Sequence, residues 1–184
     1  EIMYGINTGF GELSNVKINK KDIQKLQENL IKSHCCGLGS HYEKPIVRAI
    51  MLLRAKVLAA GFSGVRPLVI ETLLELLNKD VFPVIPQKGS VGASGDLAPL
   101  AHLAAVLMGR GEVWENGKKV SGGKILEKLK IKPLTLEAKE GLSLINGTQV
   151  MTAVGVLTYL QARQLTKLAD LAGAMSLEVF KGTY

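Results

Sequence analysis

The sequence predicts a mainly α-helical protein: a helical N-terminal domain carrying one small β-hairpin, running into the start of a long-helix bundle. Three observations predict it. The apolar residues are Leu, Ile, Val and Ala, and aromatics make up only 5% of the 184 residues. These apolar residues recur at three- and four-residue spacing between glycines and prolines, the period of a half-buried helix. The last such run extends from Asn146 or Gly147 to about Val179, well past the usual length of a globular helix. The expected division is a domain over 1–145 and the first rod of a bundle over 146–184.

Taken in order, residues 1–18 are irregular, because Gly5, Gly9 and Gly11 interrupt any pattern. Asn19 caps a first helix carrying Ile23, Leu26, Leu30 and Ile31, which stops near Gly37 and Gly39. Pro45 opens a second helix with Ile46, Ile50, Leu53, Val57 and Leu58, ending at Gly61. Pro67 starts a third through Leu77. The prolines of Val81–Pro86 force an extended segment. A fourth helix runs from about Leu97 to Met108. Asn116-Gly117 is the turn of a two-residue hairpin between Glu112–Glu115 and Lys118–Val120, read as an appendage without chemistry. A short amphipathic helix at 122–130 and a helical turn near 137–140 precede the long rod.

Bulk composition bounds the function. Hydrophobic content of 47% and charged content of 21% are ordinary globular values. The net charge of +7 comes from lysines scattered over helix faces, among them Lys17, Lys21, Lys25 and Lys32. Without an aromatic-interleaved basic patch this is a solvated surface, and no nucleic-acid partner is expected. Adjacent Cys35 and Cys36 offer neither a disulfide framework nor metal-ligand spacing, which suits a reducing compartment. With no signal peptide and no long apolar span, a cytoplasmic protein without a membrane partner is expected.

The chain is organised around Gly89-Ser90-Val91-Gly92-Ala93-Ser94-Gly95-Asp96-Leu97-Ala98-Pro99-Leu100. Three glycines in seven residues give a tight small-residue loop, delivered onto a helix that Asp96 is placed to cap. Three readings stay open on these residues alone. A tight turn before a buried helix is the plainest. A phosphate cradle lacks the Lys-Ser or Lys-Thr that should follow the glycines. In the third, the Gly95 nitrogen attacks the Ala93 carbonyl carbon, and loss of two waters leaves the Ser94 side chain as an exocyclic methylidene.

Together with Tyr4-Gly5-Ile6-Asn7-Thr8-Gly9-Phe10-Gly11 and Leu144-Ile145-Asn146-Gly147-Thr148-Gln149, this loop resembles the aromatic amino acid ammonia-lyases. The resemblance extends over essentially the whole chain, with the three motifs in the family's order. It implies that Ala93, Ser94 and Gly95 mature autocatalytically into 4-methylidene-imidazol-5-one, an electrophile that works without a metal. Tyr4 matches the family's catalytic tyrosine, a proposed general base or acid, although a phenol is a weak base at neutral pH unless its surroundings are polar or cationic. Asn146 matches an asparagine that contacts prosthetic group and substrate, but it is equally a good N-cap for the long helix. Gln149 supports the site, and Asp96 holds the loop during maturation.

Ser33-His34 falls where the phenylalanine- and tyrosine-specific members carry Phe-Leu or His-Leu. The pair resembles the histidine-specific branch, in which it recognises an imidazole, although a histidine there also serves as a partner for the helix C-terminus. A pocket built to hydrogen-bond a ring nitrogen rejects an apolar ring, because its own polar groups would be left unpaired. The implied reaction is elimination of ammonia from L-histidine, giving trans-urocanate, in a homotetramer whose subunits share each site. The alternatives are a phenylalanine or tyrosine ammonia-lyase, an aminomutase using the same electrophile, or an inactive helical fragment. The family's later tyrosine, arginine and glutamate site residues have no counterpart before Tyr184. His41 and His102 match no motif and are read as structural.

Overall fold

The computed structural model describes residues 1–183. It is mainly helical. A 3-10 turn at Lys20–Asp22 leads into α1 (Ile23–His34), and the segment after it forms β1 (Leu38–His41), a strand that the sequence pattern did not suggest. Helices α2 (Lys44–Ala59) and α3 (Pro67–Asn78) both begin with proline in the first turn, where its missing N–H costs nothing. The proline-rich segment supplies two short strands, β2 (Phe82–Pro83) and β3 (Pro86–Lys88), and the glycine loop then enters α4 (Leu97–Leu107). The hairpin is formed by β4 (Glu112–Glu115) and β5 (Lys118–Ser121), with α5 (Gly122–Lys128), α6 (Glu140–Ile145) and α7 (Gln149–Val179) after it.

Two small antiparallel sheets frame the loop. β1 pairs with β3, Leu38 opposite Lys88 and His41 opposite Pro86. The hairpin is more than an appendage: β4 also pairs with β2, setting Val113 opposite Pro83, and Val113 is buried. It therefore anchors β2, the first strand of the segment that leads to the loop. Asn116 and Gly117 both have positive φ, the geometry that makes Asn-Gly turns match strand twist.

At the centre lies α4, with Leu100, Ala101, Leu103, Ala104, Val106 and Leu107 all buried. Being apolar on every face, it packs against α1 and α6 and touches the sheets, so truncating Leu100 or Leu103 to alanine would cost about 2–5 kcal/mol. The helical turn expected near 137–140 lies later, as α6. Its start is set by Arg66, whose Nε and Nη2 donate to the two Glu140 carboxylate oxygens at 2.8 and 2.7 Å. Burial alone would raise the Glu140 pKa, but the Arg66 side chain, with the backbone N–H groups of Glu137 and Arg66, outweighs it and holds the carboxyl below its ordinary value.

The long rod begins at Gln149 with Thr148 at the N-cap position, so Asn146 is not its cap but instead ends α6. Only Gln149, Val150 and Ala153 of α7 are buried, against α2. At 1.5 Å per residue the 31-residue helix is about 47 Å long, and most of that length is exposed. No described helix is long and apolar enough to cross a membrane.

Candidate active site

Glycine places the loop against the corner between α6 and α7. Gly95 is buried with φ +158°, and a side chain there would begin 2.6 Å from Asn146 Oδ1 and 2.8 Å from the Gly147 nitrogen. No other residue fits without displacing that corner. The backbone N–H of Asp96 donates to the Gly147 carbonyl at 2.7 Å, fixing the register between the two segments. Ala93 and Ser94 are exposed, and no hydrogen bond holds the Ser94 hydroxyl among the described residues.

Asp96 occupies the N-cap position of α4 but makes no side-chain bond to that helix. Its Oδ2 instead accepts the backbone N–H groups of Val150 and Met151, each at 3.0 Å, and its Oδ1 accepts the Ser90 hydroxyl at 2.6 Å. The buried carboxylate therefore caps α7, where free N–H groups and the helix dipole favour negative charge. Sequence proximity pointed to the wrong helix, because α7 begins some fifty residues later.

Behind the corner, Arg54 of α2 is buried, and its Nη1 donates to Gln149 Oε1 at 2.6 Å. Its Nη2 reaches the Asn146 carbonyl at 3.4 Å. Motif reading missed Arg54, which touches two of the candidate residues. The signal was present in the pattern: Arg54 lies on the core stripe of α2 with Val47, Ile50, Met51 and Leu58, where an apolar residue belongs.

The other candidates lie on separate segments, and among the described residues no hydrogen bond joins Tyr4, Ser33 or His34 to the loop. The Tyr4–Gly11 segment folds on itself and onto Val16–Ile18, with Gly9 N–H to Val16 O at 3.0 Å and Ile18 N–H to Asn7 O at 2.8 Å. Buried Thr8 donates to Gly9 O at 2.9 Å and accepts the Gly5 N–H at 3.2 Å. Gly5 lies against Leu142 of α6, the helix that Asn146 terminates. Tyr4 itself is exposed, stacked edge-on with Phe10, and its hydroxyl accepts the Gly11 N–H at 3.4 Å.

Ser33 and His34 close α1. His34 Nδ1 donates to the Leu30 carbonyl at 2.9 Å, and the Ser33 hydroxyl donates to the same oxygen at 2.9 Å. His34 is thus a C-terminal partner of its helix through one nitrogen, while Nε2 has no partner among the described residues. In the tautomer with the proton on Nδ1, Nε2 is an acceptor. The segment after α1 reaches the loop, since a side chain at Gly89 would start 3.2 Å from Gly37 Cα. His102 of α4 holds that segment by accepting the Gly37 N–H on Nε2 at 3.2 Å, a tie that the sequence did not disclose.

Comparison with known proteins decides the family. The family model described as "Aromatic amino acid lyase" matches residues 1–184. The chain belongs to that family. Among curated relatives, the histidine ammonia-lyase of Alkaliphilus metalliredigens is 55% identical over 181 residues, covering 98% of this chain and 36% of the relative. The histidine ammonia-lyase of Stigmatella aurantiaca is 56% identical with the same coverage. The chain therefore spans about a third of these lyases' length.

In structure it resembles histidine ammonia-lyase from Trypanosoma cruzi, with a TM-score of 0.92, 40% identity, and coverage of 100% of this chain and 36% of that one. Tyrosine aminomutase from Streptomyces globisporus is similar at a TM-score of 0.91 and 40% identity, covering 97% and 33%. Lyases of this family depend in general on a methylidene-imidazolone group. The residues present fit it: Gly95 is enclosed without room for a side chain, while Ser94 is exposed and unbonded. Among the described residues, no three His, Cys, Asp or Glu side chains are grouped to hold a metal ion.

Proposed function

We propose that the protein containing this chain is a histidine ammonia-lyase, eliminating ammonia from L-histidine to give trans-urocanate. The observation that carries the reading is the packing of the Ala93-Ser94-Gly95 loop against Asn146 and Gly147, in a chain 55% identical to proteins of that name. Residues 1–145 form the domain that carries the loop, and 146–184 begin the central bundle of a homotetramer. The exposed apolar length of α7 supports the bundle.

Ala93, Ser94 and Gly95 form the methylidene-imidazolone, which supplies an electrophile that no ordinary side chain offers and so eases departure of the amine. The chain's own residues bind, orient and move protons around it. Tyr4 takes or returns the weakly acidic proton at the substrate β-carbon, its hydroxyl oriented by the Gly11 N–H. The Asn146 amide, adjacent to Gly95, contacts the group and the substrate. His34, with Nδ1 committed to Leu30, accepts the substrate's ring N–H on Nε2, and the Ser33 hydroxyl beside it completes the imidazole contact. Gln149 and Asp96 hold Asn146 and the loop from behind.

Intact mass and substrate turnover test this in a full-length enzyme carrying these residues. A deficit of two waters, with urocanate formed from histidine and negligible turnover of phenylalanine and tyrosine, is the expected result. An unshifted mass removes the electrophile, and preference for phenylalanine or tyrosine moves the chain to another branch of the family.

A further inference from the structure

Arg54 is 1% exposed, and among the described residues no carboxylate lies within ion-pair distance of it. Of its five N–H donors, one meets Gln149 Oε1, one reaches the Asn146 carbonyl, and Nε has no partner. A buried cation so sparsely bonded works against stability, since an apolar side chain of similar volume would fill the space without the desolvation cost. Burial pulls its pKa down to about 10, which still leaves it charged at neutral pH. Its placement is specific. A side chain on Gly147 would collide with both Arg54 Nη1 and Gln149 Oε1, and one on Gly95 would collide with Gly147 N. Guanidinium, Gly147 and Gly95 are therefore stacked in direct succession.

Resting on the reading of the triad as a self-maturing electrophile, we propose that Arg54 is a positioning residue of this site. It holds Asn146 to Gln149 in the register that presses Asn146 and Gly147 against Gly95. It also keeps a positive charge, without an ion-pair partner among the described residues, behind Gly147 on the side away from Gly95. The first effect fixes the Gly95 nitrogen for attack on the Ala93 carbonyl and aims the Asn146 amide. The second favours electron density on the group that the triad forms, as a preorganised charge in a dry interior does.

Arg54→Met and Arg54→Lys, made in a full-length enzyme carrying these residues, test both parts. Removing the charge should leave melting temperature unchanged or higher. The fraction of chains two waters light should fall, and kcat per matured chain should drop roughly tenfold to a hundredfold, with KM changed far less. Lysine restores a charge without the planar fork and should recover part of both losses. Arg54→Met that matures and turns over normally would overturn the proposal. So would Arg54→Met that melts lower while Arg54→Lys is equally immature, because Arg54 would then be only a structural brace. If the unsubstituted enzyme shows no loss of two waters, it is the self-maturing reading that fails, and this proposal with it.

Discussion

Asp96 and Val150 lie 54 positions apart, and the 3.0 Å bond from the Val150 N–H to Asp96 Oδ2 ties the reactive loop to the first turn of the long helix. Met151 donates to the same oxygen at 3.0 Å, so one buried carboxylate satisfies two free donors at the positive end of α7. Asp96→Asn keeps an acceptor oxygen but removes the charge, with an expected cost of about 1–2 kcal/mol. Asp96→Ala strands both N–H groups and should cost more, about 2–4 kcal/mol. Thermal melts of the two variants rank them; an alanine variant as stable as the asparagine one would contradict the capping role.

Gly95 admits no side chain without moving the α6–α7 corner. The methyl of Gly95→Ala would start 2.6 Å from Asn146 Oδ1 and 2.8 Å from Gly147 N, and backbone cannot yield as a flexible side chain does. The expected result is a stability loss of about 1–3 kcal/mol and a marked fall in the matured fraction. Full maturation by intact mass at unchanged melting temperature would show that the corner is more compliant than its packing implies.

Much of this fold was legible because its signals are local. Prolines at the start of α2 and α3, Asn116-Gly117, and the unbroken apolar period from Val150 onward each act within a few residues. β1 escaped notice because Leu38-Gly-Ser-His41 has no alternation of its own and becomes a strand only by pairing with β3. The same divide runs through the site. Motifs nominated Tyr4, the triad, Asn146 and Ser33-His34 as candidates. The true partner of Asp96, the tie from His102 to Gly37, and the place of Arg54 behind Gln149 depend on contacts 54 to 95 residues apart, which no window along the chain contains.

Among the described residues, the side-chain hydrogen bonds of Ser33 and His34 stay at the end of their own helix, Leu30 O being the shared acceptor. Replacing them by Phe-Leu should therefore cost little stability, under about 1 kcal/mol, because Ser33 is exposed and the Leu30 carbonyl can be rehydrated. If the pair recognises imidazole, histidine kcat/KM in a full-length enzyme should nevertheless fall roughly a hundredfold or more. A melt alongside the kinetics separates the two effects. Unchanged histidine kinetics would place the pair away from the substrate ring.

His102 gives stability a pH dependence. Burial lowers its pKa below the ordinary 6.5, the nearby His41 charge adds to that, and Glu112 opposes it. The folded state therefore binds fewer protons than the unfolded state, so stability is complete above about pH 6.5 and declines as pH falls through the lowered value. Protonation would also remove the Nε2 acceptor used by Gly37 N–H. Melting temperature should drop between pH 7 and 5, and His102→Gln, whose amide oxygen can accept without titrating, should flatten that slope. An equally steep slope in the variant would assign the effect to other groups.

The last prediction concerns α7 in the 184-residue chain expressed alone. Leu165, Leu168, Met175 and Val179 follow one another at three-, seven- and four-residue steps, which keeps them near one face, and each is about half exposed or more. Tyr159, Leu160, Leu171 and Leu177 spread further around the rod and are exposed as well. A helix apolar on several faces belongs in a bundle interior, and contiguous exposed apolar surface of this extent promotes association. Full burial is confined to Gln149, Val150 and Ala153 near its start, where it meets α2, and from Thr158 onward every described residue is exposed. The isolated chain should therefore self-associate at micromolar concentration. Leu168→Lys combined with Met175→Lys should shift the population toward monomer while leaving the melt of the domain unchanged, since both positions lie beyond its core. Light scattering measures the outcome directly: a monodisperse monomer from the unsubstituted chain would mean that α7 does not need the partners its surface implies.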